Sequence, residues 1–144
     1  MSAYAAPLPE EYFRSRYATV SFIPASETAI VSIHGAFIPM TEYQQTLEKI
    51  GELVKQEKVH KLIVDARQLV AYHQPSVEWS FLNWKREMST YGLNSYRYVV
   101  PNSGEYRKNL ENGIQKIRRD HPDTDLLDRM DLAYCRSLEE AVEE

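Results

Sequence analysis

The chain reads as an α/β domain: a mixed, mostly parallel five-stranded sheet with an N-terminal β-hairpin and about four helices. Three observations lead there. Residues 61–65 (KLIVD) set Leu62, Ile63 and Val64 side by side rather than alternating with polar residues, as in a strand covered on both faces. Beyond it, β-rich runs alternate with amphipathic segments, the pattern of parallel strands joined by helical crossovers. At the front of the chain, two short β-rich runs are separated only by PASET, which suits a tight antiparallel turn.

Taken in order, residues 18–23 (ATVSFI) and 29–33 (AIVSI) form the hairpin. Residues 41–57 place Tyr43, Leu47, Ile50 and Val54 on one helical face, and Thr41 with Gln44 reads as a capping box. The strand 61–65 follows and is central. A second helix over 76–91 carries Val77, Phe81, Trp84 and Met88 on one stripe and stops at Gly92. Residues 96–100 form a strand ended by Pro101. A third helix from about Ser103 aligns Tyr106, Leu110, Ile114 and Ile117, until the polar run RRDHPDTD breaks it. Residues 131–135 form a last short strand, and Ser137 with Glu140 caps a terminal helix. The order is thus β-β-α-β-α-β-α-β-α, with no internal repeat.

With 144 residues the chain has the size of one domain, expected over 17–144 after an N-terminal arm of 1–16. Hydrophobic content of 43% and charged content of 26% fit a globular protein that needs no metal staple. The apolar stretch 29–40 is broken by Ser32, His34, Gly35 and Pro39, so a membrane span is not expected. The first residues lack a cationic leader followed by an apolar run, and the single Cys135 has no partner for an internal disulfide. A cytoplasmic location is the expectation. Net charge is uneven, at −2 over 1–84, +5 over 85–119 and −7 over 120–144, and the last two regions are expected to screen each other.

VDAR at the end of the third strand, a last strand running into YCRSLEEAVEE, and the order of elements together resemble the SpoIIAA-like domains. These are relatives of the STAS domains, the anti-sigma-factor-antagonist fold, which is also compared with lipid-carrying Sec14-type domains. The resemblance covers about residues 17–144. In phosphorylatable STAS domains a serine at the start of the helix after the central strand is modified by a partner kinase. Laid along VDARQLVAYHQPSV, that position falls near Gln74 and Pro75, the nearest hydroxyl is Ser76, and the Asp-Ser pair of those antagonists is absent. The resemblance thus makes Ser76 the candidate phosphoacceptor, beside its simpler reading as a helix cap.

Other candidate site residues come from position. Asp65 and Arg67 stand at the C-terminal end of the central strand, where crevices of open α/β sheets form, and Tyr72 and His73 continue the same loop as candidate ligand-binding groups. At 100° per residue, Trp79 and Leu82 point away from the core stripe of their helix, which makes them candidates for an interface. His34, His60, His73 and His121 show no metal-ligand spacing, and no glycine-rich phosphate loop occurs, so neither metal nor cofactor is expected. The basic third helix with Arg107, Lys108, Lys116, Arg118 and Arg119 lacks interleaved aromatics, which argues against nucleic acid. The resulting expectation is a non-enzymatic domain that binds a protein partner or forms a homodimer. One alternative is a carrier or sensor of a small apolar or amphipathic ligand held near Tyr72, His73 and Trp79. The other is a phosphorylation-switched antagonist using Ser76.

Overall fold

The computed structural model describes residues 9–101, 104–123 and 125–144 and has a mixed α/β architecture. Its sheet has six strands rather than five, in the order β1-β2-β3-β4-β5-β6. These are β1 (Glu10–Arg14), β2 (Ala18–Ile23), β3 (Thr28–Ile33), β4 (Lys61–Asp65), β5 (Ser95–Val99) and β6 (Asp131–Cys135). Strands β1 to β3 pair antiparallel, with Val20 opposite Val31, and β3 to β6 pair parallel, with Val31 beside Val64 and Val64 beside Tyr98. The added strand lies in the stretch expected as an arm. Its sequence EEYFR has no two-residue alternation, because a bulge between Glu11 and Phe13 shifts its register against β2. Residues 1–8 of that arm lie outside the described residues.

The helices are α1 (Met40–Gln56), α2 (Gln74–Trp79), α3 (Arg86–Ser89), α4 (Glu105–Asp120), α5 (Leu126–Arg129) and α6 (Leu138–Glu143). Between α2 and α3 the helix continues as a π-turn, Ser80–Lys85, so residues 74–89 form one rod. The stripe expected for this rod is buried: Val77 is 9% exposed, Phe81 1%, Trp84 5% and Met88 1%. It ends as the sequence indicates. Gly92 takes φ +96°, its N–H donates to the Ser89 carbonyl (3.2 Å) and the Leu93 N–H to the Met88 carbonyl (3.2 Å), a Schellman closure.

The capping expectations divide. Ser137 Oγ accepts from the Glu140 N–H (3.1 Å) as expected, whereas α1 begins one residue before Thr41, with Pro39 at its N-cap and no side-chain cap. Ser103, the expected start of the third helix, lies outside the described residues, and α4 is described from Glu105.

One face of the sheet, with Val20, Val31, Leu62, Tyr96 and Tyr98, packs against α1, the 74–89 rod and α4. The opposite face is covered more thinly. There Ile30, Ile63, Val99 and the buried Cys135 pack against Ala141 of α6. Two buried cations hold that short helix down by its last carbonyls: Lys61 Nζ donates to Ala141 and Val142 (both 2.8 Å), and Arg97 donates to the Glu144 carbonyl (3.1 Å) and to Asp131 Oδ2 (2.8 Å). In the basic stretch of the chain, Arg97, Arg107, Lys116 and Arg118 meet acids, as in the pairs Arg118–Asp128 and Lys116–Asp120.

The rod and α4 approach closely at Gly113. A Cβ there would collide with the Tyr72 hydroxyl and Gln74 Oε1, and Gln74 Nε2 donates to the Gly113 carbonyl (3.3 Å). Replacing a mid-helix glycine ordinarily gains stability, by about 1 kcal/mol for alanine. Here Gly113→Val is expected to lower the unfolding free energy by about 1–3 kcal/mol through overpacking, as read from the urea midpoint.

Candidate functional site

A cavity of about 70 Å³ opens at the C-terminal ends of β3, β4 and β5, beneath residues 68–75 and against the 74–89 rod and α4. Such ends are where open α/β sheets leave room, because the chain departs toward helices there. Most of the wall is apolar, with Ile33, Val64, Leu69, Val77, Phe81 and Leu110. Polar groups enter from separate elements: Tyr43 from α1, His73 and Ser76 at the start of the rod, Ser80 from the π-turn, Tyr98 from β5 and Tyr106 from α4.

Beneath this cavity lies Lys85, 3% exposed, in a site with no carboxylate. Among the described residues it makes no ion pair. Its Nζ stands 3.4 Å from Ser80 Oγ, 4.1 Å from the ring centre of Phe81, 4.9 Å from that of Tyr96 and 5.7 Å from that of Tyr98. Ser80 donates its proton to the Val77 carbonyl (2.8 Å), so its oxygen is left to accept from Lys85. Burial disfavours the charged ammonium and pulls its pKa down to about 7. Burial likewise raises the pKa of Tyr43, Tyr98 and Tyr106, which remain neutral hydrogen-bonding groups.

The π-turn is what brings Lys85 inward. In an α-helix, residues five apart are about 140° apart around the axis and face different directions. In a π-turn the backbone bonds run from i to i+5 and the turn is widened, which brings residues five apart nearer one side, and Ser80 and Lys85 meet.

The sequence-predicted site residues separate. His73 borders the cavity, and its Nδ1 accepts from the Ser76 hydroxyl (2.7 Å) and the Ser76 N–H (3.3 Å), making His73 the N-cap of α2. An amide only donates, so Nδ1 is the acceptor and Nε2 carries the ring proton. Ser76 is therefore neither the cap nor a surface hydroxyl, being 8% exposed and bonded to His73. Tyr72 lies beside the cavity, half-buried, bonded to Gln74 and edge-on to Tyr106 at 5.9 Å; burial pushes its pKa up to about 12.

Asp65 and Arg67 are not part of this site. They form a two-toothed pair with each other, Nε to Oδ1 at 2.9 Å and Nη2 to Oδ2 at 2.8 Å, and neither lines the cavity. Trp79 and Leu82 do not form an outward patch. Both are half-buried and packed against the core, and the large apolar side chains exposed among the described residues are Phe37, Val70 and Tyr91. Lys85, Ser80, Tyr43, Tyr98 and Tyr106 carry no chemical motif in the sequence; the one available signal was a lysine immediately after Trp84 of the buried stripe.

No protein-family model and no curated protein matches the chain. A solved structure, the Pseudomonas putida nuclease MPE, is similar to it with a TM-score of 0.45 and 13% identity, over 88% of this chain and 60% of that one. The chain therefore spans about three fifths of that protein's length. The expectation of a non-enzymatic regulatory domain is corrected: a solved structure similar to this chain is that of a nuclease. That expectation rested on the lack of a reactive constellation along the sequence, and polar groups far apart in the sequence converge in the fold. At this level of similarity the likeness carries neither activity nor substrate over to this chain. Among the described residues no group of acids, histidines and cysteine is placed to hold a metal ion, and no helix is long and apolar enough to cross a membrane.

Lys85 is depressed in the folded state relative to an ordinary lysine, so between about pH 7 and pH 10 the unfolded chain binds more protons. Stability from this group therefore rises with pH through that window, and below it the full cost of a buried unpaired cation applies. Lys85→Met is expected to stabilise the fold by about 1–4 kcal/mol at pH 6, the gap over wild type closing by pH 10. Urea titrations of both proteins at each pH check this.

Proposed function

We propose that this chain binds a small amphipathic molecule in the cavity beneath residues 68–75. Its apolar part lies against Ile33, Val64, Val77 and Leu110, and its polar end lies among the hydroxyls of Tyr43, Ser80 and Tyr98. The observation that carries the reading is the gathering of hydroxyls from four different elements on the wall of one mostly apolar cavity, the usual composition of a ligand site. A π-turn at the same place supports it, because such turns concentrate at functional sites. The site also carries groups suited to proton transfer: a histidine with its Nδ1 facing a serine hydroxyl, and a lysine whose amine is half-neutral near pH 7.

Native mass spectrometry of protein purified from its own host is the test. A bound species lost on denaturation is expected in wild type. Val77→Phe, which adds volume to the cavity wall, is expected to cut occupancy about tenfold, equivalent to about 1.4 kcal/mol. Val70→Ser, on the exposed surface, serves as the control. A clean apo mass for wild type under conditions that preserve weak complexes counts against the reading, as does equal occupancy in Val77→Phe.

A further inference from the structure

We infer that the molecule this cavity takes is an acid, a small monocarboxylate whose anionic head pairs with the Lys85 ammonium while its apolar part fills the cavity. The inference rests on the ligand-site reading above and adds the class of ligand.

Its basis is a missing counter-charge. The groups that face Lys85 are Tyr43 and Thr46 of α1, Val64 of β4, Tyr96 and Tyr98 of β5, and Ser80 and Phe81 of its own rod. None of them is an acid. Elsewhere on the cavity the titratable groups are His73, at its rim, and Tyr106. The other buried cations among the described residues have strong acceptors: Lys61 has two carbonyls, and the Arg97 Nη atoms have carbonyls and the Asp131 carboxylate, its Nε being left without a partner. Lys85 alone of the three has only a single hydroxyl at 3.4 Å.

The rings of Phe81, Tyr96 and Tyr98 present their electron-rich faces to a cation and partly offset its burial. A cation kept in such a place lacks an anion, and the hollow that Lys85 bounds shares Ile33, Tyr43 and Val64 with the wall of the larger cavity. Ser80, bonded to Lys85, and Tyr43, which bounds the same small hollow as Lys85, both line the larger cavity. That hollow, of about 10 Å³ and bounded by Tyr43, Thr46, Val64 and Lys85, leaves space beside the lysine on the scale of one oxygen atom. A carboxylate at that point accepts from the Lys85 ammonium and the Tyr43 hydroxyl, two charge-assisted bonds that a neutral head forms only weakly. The hydroxyl of Tyr96, buried and without a partner, is a further polar group in the Lys85 shell.

Calorimetry on the full chain, with hexanoate and 3-phenylpropanoate each set beside its alcohol, tests the inference. The acids are expected to bind at least about tenfold more tightly than the alcohols at pH 6.5. Because the neutral amine must take up a proton to pair, acid binding is expected to weaken as pH rises from about 7 to 9, and titrations at pH 8 in two buffers of different ionisation heat should show close to one proton taken up. Lys85→Met should erase the acid-over-alcohol ratio, whereas Val70→Ser, on the exposed surface, should keep both the ratio and the proton uptake. Acids and alcohols binding alike, or acid binding without proton uptake, overturns the carboxylate inference and leaves the ligand-site reading standing. Binding of neither overturns it as well, and the occupancy of host-purified protein then decides the ligand-site reading separately. A host-derived occupant whose mass and fragments contain no acid group also overturns it.

Discussion

The sheet runs in chain order, β1 through β6, and that ordering constrains everything packed on it. Each parallel connection must carry the chain from the end of one strand to the start of its immediate neighbour. Right-handed crossovers that all step in the same direction put their helices on the same side. So α1, the 74–89 rod and α4 share one face, and their buried residues form a single cluster with Val20, Val31, Leu62, Tyr96 and Tyr98. The other face is left to whatever remains of the chain. Among the described residues that is α6, which is too short to bury that face by area alone, and Lys61 and Arg97 grip its terminal carbonyls.

Crowding three helices onto one face also produces the site. The rod between β4 and β5 has neighbours on both sides, α1 and α4, so its buried arc is wider than a four-residue stripe. Ser76, Ser80 and Lys85 fall inside that arc together with Val77, Phe81, Trp84 and Met88. The π-turn adjusts the rotation so that Ser80 and Lys85 meet, and the result is a polar pair of Lys85 and Ser80 within an aromatic surround. A well-packed apolar residue in place of Lys85 would be the more stable choice. A fold that keeps an unpaired buried cation at that cost has the marks of a site, since strain and unsatisfied charge persist where the surrounding structure holds them for a purpose.

Much of this was readable from local pattern. The run Leu62-Ile63-Val64 reported a strand covered on both faces, and the Tyr43, Leu47, Ile50, Val54 face and the Gly92 stop reported α1 and the end of the rod. β1 was not readable, because EEYFR is polar, lacks alternation and is a strand only by virtue of pairing with β2. Asp65 was misplaced by an argument from position alone. Leu62 and Val64 face the helices, so the two-residue period already puts Asp65 on the opposite side of the sheet from the cavity. Trp79 and Leu82 were misjudged because a helical wheel of 100° per residue does not describe a rod with a π-turn, nor one flanked by two neighbours.

By itself the sequence determined the α/β class, the helical stripes, the central strand and the terminal cap, since each depends on periods of two or 3.6 residues and on local turn and capping chemistry. The tertiary structure decided the sixth strand, the single crowded face and the site. Tyr43, Ser80, Lys85, Tyr98 and Tyr106 are spread over more than sixty positions and share no spacing that a motif could record. What unites them is the direction of the crossovers and one widened helical turn, and neither is set by any short stretch of residues.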